Sequence, residues 1–419
     1  MKNLSLLFLT IAFTISINAQ PQPPSPPKPV VKTGIDVLVE TNFASLAGKR
    51  VGLITNPTGV SNTLISTVDI FARTKQFKLV ALFGPEHGVR GDVAAGGHVD
   101  SYIDSATGIP VYSLYGKTQK PTPEMLKGVD VLVYDIQDIG SRSYTYINTM
   151  AVAMEAAAEN NIDFVVLDRP NPLTGNRIEG NILDKKYKSF VGMFPIPYVY
   201  GMTCGELATL LNAEGWLSTG KACKLTVITM KGWNRSMWWE DTGLEWVPTS
   251  PHIPNSATAL FYAATGILGE LDGVSIGVGY TLPFQLIGAP WIDASRFAQA
   301  LNAKKIAGVY FRPISYRPFY AVMQGKQVNG VQIYILDRKK VNLVNIQLHI
   351  IQVMNELYPA KSIFALSDAS RNDMFDKVMG TDAVRLALEK KTPVEEIVSQ
   401  WNKDIESFKL IRKKYLLYE

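Results

Sequence analysis

The sequence predicts an α/β protein in which a Rossmann-like domain on a mostly parallel sheet is joined to a second, smaller, mixed α/β domain. Three observations predict it. Between residue 34 and about residue 230, short β-branched apolar runs alternate with helical patterns, the signature of crossover units. Past residue 246 the texture changes to proline and glycine turns around 250–255 and 266–290, then to mixed strand and helix patterns. With 419 residues and 47% hydrophobic composition, the chain is long enough to bury two cores.

Taken in order, the chain opens with Lys2, a mostly apolar run over 6–13 and the small residue Ala19, which reads as a secretory signal over 1–19. That run is short for a bilayer span of roughly 20 residues, and no later stretch free of charge is long enough, so the expectation is export to the periplasm or beyond without membrane insertion. Residues 20–33 are proline-rich and read as a spacer. Within the first domain, 34–243, strands are expected at 50–55, 79–83, 111–114, 129–134, 164–167 and 225–229. The clearest helices are 149–160 and 204–214, the latter opened by Thr203 with Glu206 completing a capping box. In the second domain, 244–419, the pattern gives a helix over 293–302, strands near 309–313 and 331–336, a long amphipathic helix over 343–357 and helical segments over 394–408.

Composition excludes some functions. Cys204 and Cys223 are too few for a disulfide framework, and their spacing leaves open whether they pair or stand as two buried thiols. The net charge of +5 is dispersed, with no basic run that suggests nucleic acid, and suits an anionic substrate or cell-wall polymer. No G-x-G-x-x-G follows the first strand and no P-loop lysine motif is present, so the Rossmann likeness is architectural and no cofactor is indicated.

Ligands of open parallel sheets bind outside the carboxyl ends of the strands. Four polar clusters are expected there: Thr55-Asn56-Pro57-Thr58-Gly59, Gly84-Pro85-Glu86-His87-Gly88, the stretch from Asp135 to Arg142, and Asp168-Arg169-Pro170-Asn171-Pro172. Glu86 and His87 are held between glycine and proline, a tight loop suited to aiming a carboxyl group into a cleft as a general acid. The plainer alternative is a glutamate that caps the next turn or helix. Asp135 and Asp138 follow an apolar strand, so paired carboxylates for acid/base or nucleophilic work are expected. The structural alternative has Asp138 capping the following turn while Asp135 pairs with Arg142 or Arg169. Tyr144 and Tyr146 offer flat surfaces for a sugar ring or serve as core aromatics. Arg90, Arg142 and Arg169 suit a substrate carboxylate, although internal ion pairs would account for one or two of them.

The motifs GPEHGVRG, DIQDIGSRSYTYINTM, DRPNPLTG, YGMTCGELA and PFQLIGAPW occur in the order and rough spacing of one bacterial family. From about residue 34 onward the chain resembles the exo-β-N-acetylmuramidases of the NamZ type, formerly a family of unknown function. The resemblance implies a Rossmann-like domain plus an auxiliary domain, a cleft between them, and release of N-acetylmuramic acid from the non-reducing ends of peptidoglycan fragments. It implies that Glu86 matches the family's proposed catalytic glutamate and that His87, Asp135, Asp138, Arg142 and Tyr144 match their neighbours. Muramic acid carries a lactyl carboxylate, which would give the arginines a partner. Asn56, Asp168, Asn171, His252 and Tyr280 complete the expected substrate-binding set. The chain departs from the family pattern at Ser275-Ile276-Gly277-Val278-Gly279-Tyr280, where many members resemble Ser-Glu-Gly-Arg-Gly-Thr, and at His252, where asparagine is usual. Either sugar specificity differs or the second catalytic group comes from elsewhere. Two rival readings are a metal-dependent hydrolase using Glu86, His87, His98 and His252, and a non-catalytic peptidoglycan-binding protein.

Overall fold

The computed structural model describes residues 30–91 and 101–419, so the expected signal, most of the spacer and His98 lie outside the described residues. The strands of the first domain are β1 (Arg50–Thr55), β2 (Lys78–Gly84), β3 (Tyr102–Ile103), β4 (Pro110–Ser113), β5 (Val131–Asp135), β6 (Asp163–Leu167), β7 (Glu179–Ile182), β8 (Pro197–Val199) and β9 (Leu225–Ile228). Seven of them form one sheet in the order β3-β4-β2-β1-β5-β6-β9, while β7 and β8 form a separate antiparallel pair. Within the large sheet every pairing is parallel except β3 with β4.

The buried runs that read as parallel strands in the sequence split by alternation between two cores, because successive side chains leave opposite faces of the sheet. Val131, Val133, Val165 and Leu167 join a core with helices α1 (Gly34–Glu40) and α2 (Thr67–Arg73). Leu132, Tyr134, Phe164 and Val166 face the other side, against α3 (Tyr146–Glu159) and α4 (Cys204–Ala213). Helix α3 starts three residues before its expected start. Aromatic and β-branched residues are weak helix formers, but Tyr146 and Ile147 are buried against the sheet and packing overrides propensity. At α4 the capping box forms: Glu206 N–H donates to the Thr203 hydroxyl (3.2 Å) and Thr203 N–H to the Glu206 carboxylate (3.1 Å).

The second domain holds the antiparallel sheet β10-β12-β11, made of β10 (Leu286–Ala289), β11 (Val309–Tyr316) and β12 (Val328–Ile335). Helices α5 (Ser256–Thr265), α6 (Ala294–Ala303) and α7 (Leu343–Leu357) pack with it, and shorter helices from Ile363 to Lys413 follow. Its apolar side chains and the α3/α4 side of the first domain form one continuous core. Polar links reinforce that union. The Glu179 carboxylate accepts Leu343 N–H (2.6 Å) and Val344 N–H (3.3 Å), capping α7 from the first domain. Val31 and Thr33 are buried and Lys32 bridges antiparallel to Lys231, so the last residues of the expected spacer belong to the folded body. Cys204 and Cys223 are two separate buried thiols, the second pushed up to about 12 by burial. Among the described residues no helix is long and apolar enough to cross a membrane.

Candidate active site

Glu86 follows β2 in a β-turn closed by Gly88 N–H donating to Pro85 C=O at 3.0 Å. Its third residue, His87, sits at φ +74°, the sign a type II turn demands and glycine usually supplies. Holding a histidine there costs energy, of order 1–3 kcal/mol, so the surrounding structure over-determines the turn. The Glu86 carboxylate accepts a long hydrogen bond from the Thr145 hydroxyl (3.5 Å) and one from the Tyr115 hydroxyl. Burial first, then the Glu86 charge, push the Tyr115 phenol up to about 12, so it stays a donor throughout the working pH range.

Glu86 and His87 open onto a cleft of about 160 Å³ between the two domains, whose walls include Tyr144, Thr145, Tyr146, Ser250, His252 and Tyr262. His252 arrives from the segment just before α5. Its pKa is lowered by burial and then by the charge of His87, which places the two imidazoles close together. Asn56 reaches the same wall, with its side-chain amide against the Tyr146 hydroxyl. Five expected site residues therefore meet at one cleft with Asn56 beside them: Glu86, His87, Tyr144, Tyr146 and His252.

The structure places the others elsewhere. Asp135 does not face the cleft: it is fully buried, with Arg169 Nε 2.6 Å from Oδ1, Arg169 Nη2 3.0 Å from Oδ2, and the Thr67 hydroxyl 2.5 Å from Oδ2. Asp138 caps its own turn, accepting Gly140 N–H (2.7 Å) and the Tyr200 hydroxyl (2.5 Å). Burial raises its pKa to about 6, and it lines a separate small crevice with Arg169, Asn171 and Tyr200. The structural alternative read from the sequence thus holds for both aspartates.

The arginines are likewise engaged within the protein, Arg90 part-buried in an ion-pair cluster and Arg142 and Arg169 buried against internal acceptors. Arg90 pairs with Asp104 (Nε to Oδ1, 3.0 Å) and Asp69 (3.2 Å). Arg142 is buried and donates to the carbonyls of Asn181, Ile196, Val378 and Met379, clasping the two domains. Burial lowers its pKa to about 10. Asp168 accepts from Thr203, Gly205 and Tyr418 and so anchors α4, while Asn171 ties its own loop to the Met202 carbonyl. Tyr144 and Tyr146 do line the cleft, but their hydroxyls bind Thr249 and their rings pack edge-on to each other at 5.0 Å, so neither offers an open face for stacking. Tyr280 lies in a neighbouring aromatic group and not on the cleft wall.

Tyr115 and Thr145 were missed, yet a signal existed for Tyr115: it sits two residues past the carboxyl end of β4, the same edge that selected the four clusters. Among the described residues no group of three or more His, Cys, Asp or Glu side chains is placed to share a metal ion.

Fold and cleft together define a two-domain α/β protein whose acid-and-histidine site is built at the carboxyl edge of a parallel sheet. Family models described as exo-beta-N-acetylmuramidase NamZ match it at residues 51–257 for the N-terminal part and 260–418 for the C-terminal part. The chain belongs to the NamZ family. It is 51% identical over 391 residues to the peptidoglycan beta-N-acetylmuramidase NamZ of Bacillus subtilis (strain 168), covering 93% of this chain and 92% of that one. Two solved structures of DUF1343 family proteins from Bacteroides fragilis NCTC 9343 have TM-scores of 0.89 and 0.75 to it, at 55% and 33% identity. Each comparison covers 93% of this chain and 99% of the other.

Proposed function

We propose that this chain is an exo-acting glycoside hydrolase that releases N-acetylmuramic acid from the non-reducing end of peptidoglycan fragments. The observation that carries the reading is Glu86 on its constrained turn, facing an inter-domain cleft in a member of a muramidase family. In this reading Glu86 gives its proton to the glycosidic oxygen as the bond from that oxygen to the anomeric carbon breaks. Water adds to the anomeric carbon and yields its proton to His87, since Asp135 and Asp138 are turned away from the cleft. With Arg90, Arg142 and Arg169 occupied inside the protein, the lactyl carboxylate is met by imidazole and hydroxyl donors, His252 and Ser250 among them. Export belongs to the same proposal: the signal-like segment over 1–19 supports a location in the periplasm or outside the cell, where wall fragments are found.

Glu86→Gln tests it. The variant keeps size and hydrogen-bonding reach but has no proton to give, so turnover of a peptide-free muramyl-glucosamine disaccharide should fall roughly 10²–10⁴-fold with folding intact and affinity little changed. Near-normal turnover would reduce Glu86 to a turn residue and end the mechanism. Mid-chain products from intact sacculi would contradict the exo mode.

A further inference from the structure

Just beyond the mouth of the cleft the second domain holds a pair of aromatic rings in water. The loop between β11 and β12 carries Phe319 and Tyr320, 70% and 49% exposed. The pair is built in and not a frayed tip. Tyr280 stacks on Phe319 (6.0 Å between ring centres, 18° between planes) and leans on the buried Tyr316 (5.3 Å). Phe319 N–H donates to Gly279 C=O at 2.7 Å. Gly279, at φ +89°, lets the Tyr320 carbonyl come so close that a Cβ there would lie 2.0 Å from its oxygen. On its other side Tyr320 stacks on His252 (5.9 Å, 26°), and His252 lines the cleft with Glu86 and His87. Tyr320 therefore joins this loop to the site through its contact with His252, with Phe319 next to it in the chain.

We propose that Phe319 and Tyr320 form the subsite for the leaving sugar, stacking on the apolar face of the pyranose ring to which muramic acid is linked. The inference rests on the muramidase reading and deepens it. An exo-acting enzyme keeps one sugar in the cleft, and the remainder of the glycan has to pass the lip. A pyranose presents C–H groups on one face, which match the face of an aromatic ring, and polar groups around its edge, which stay in water beside this exposed pair.

The test uses the full chain and two substrates: the peptide-free disaccharide of N-acetylmuramic acid β-1,4-linked to N-acetylglucosamine, and N-acetylmuramyl β-fluoride, whose leaving group has no ring. The Phe319→Ala/Tyr320→Ala variant should lose about tenfold in kcat/KM on the disaccharide, mostly through KM, and stay within about twofold of wild type on the fluoride. Tyr320→Phe, which keeps the ring, should match wild type on both. Equal losses on the two substrates, no loss on either, or a loss seen only when a stem peptide is attached would each overturn the subsite. If the wild-type chain turns over neither substrate, the muramidase reading itself falls, an outcome separate from the other three.

Discussion

Asp135→Asn separates a structural aspartate from a catalytic one. The carboxylate accepts three side-chain hydrogen bonds, two from Arg169 and one from Thr67, in a site with no exposure at Asp135 and 5% at Arg169. Asparagine keeps one acceptor, but its NH2 meets a guanidinium or a hydroxyl that is itself donating, and the Arg169 charge is left buried without its counter-ion. Breaking a buried pair in this way costs about 3–5 kcal/mol. At about 2–4 °C per kcal/mol for a domain of this size, the melting temperature should fall by roughly 6–20 °C. Urea unfolding followed by tryptophan fluorescence should show the midpoint moving in the same direction. Turnover per folded molecule, measured well below the new midpoint, should stay within a few-fold of wild type. Replacing both partners with apolar residues of similar volume should recover part of the lost stability. A variant with an unchanged melt and a hundredfold loss of turnover would refute this reasoning and return Asp135 to the mechanism.

Further outcomes are expected. For Asp138, whose folded pKa of about 6 lies above its ordinary value of 3.8, the native state holds a proton that the unfolded chain has released, so stability is present at low pH and drains away as pH rises from about 4 to about 6. The shift corresponds to about 3 kcal/mol, so Asp138→Asn, which still accepts from Tyr200 and Gly140, should gain several degrees on wild type between pH 4 and pH 7; a melting difference that stays flat over that range counts against it. Tyr115→Phe removes a donor that holds Glu86, and kcat should drop about tenfold with a smaller change in KM; unaltered kcat on the disaccharide would remove Tyr115 from the site. Exhaustive chelation should leave turnover unchanged, and loss of activity that zinc restores would move the metal-dependent reading, with Glu86, His87, His98 and His252 as ligands, to the front.

The parallel sheet was legible because strands covered on both faces are continuous β-branched runs, so β1, β5 and β6 stand out against any background. The β7/β8 pair and β10 were not, since Glu-Gly-Asn-Ile and Leu-Ile-Gly-Ala carry little strand propensity and owe their form to the neighbours they pair with. At the site, Glu86 and His87 could be read because local turn chemistry alone aims them. The aspartates and arginines left a cleft-facing and an internally paired reading both open, because a polar residue at a strand end looks the same in sequence whether it faces solvent or a partner. Their partners are remote, as with Arg169 for Asp135 and Tyr418 for Asp168. The exposed ring pair at Phe319 and Tyr320 carried no periodic signal, and its meaning depends on His252 reaching it from another segment.

The segment from Arg412 to Glu419 lies on the first domain: Arg412 donates to the Gly201 carbonyl (2.8 Å), Tyr418 to Asp168 (2.6 Å), and Glu419 C=O accepts Arg235 N–H (2.8 Å). Synthesis runs in the opposite sense to this dependence. The loops after β6 and β8, finished early on the ribosome, wait for more than two hundred further residues before Asp168 and the Gly201 carbonyl gain these last partners. The hydrogen bonding at this end of the first domain's sheet is therefore completed only by residues from the far end of the chain, the most non-local contacts the fold contains at this edge.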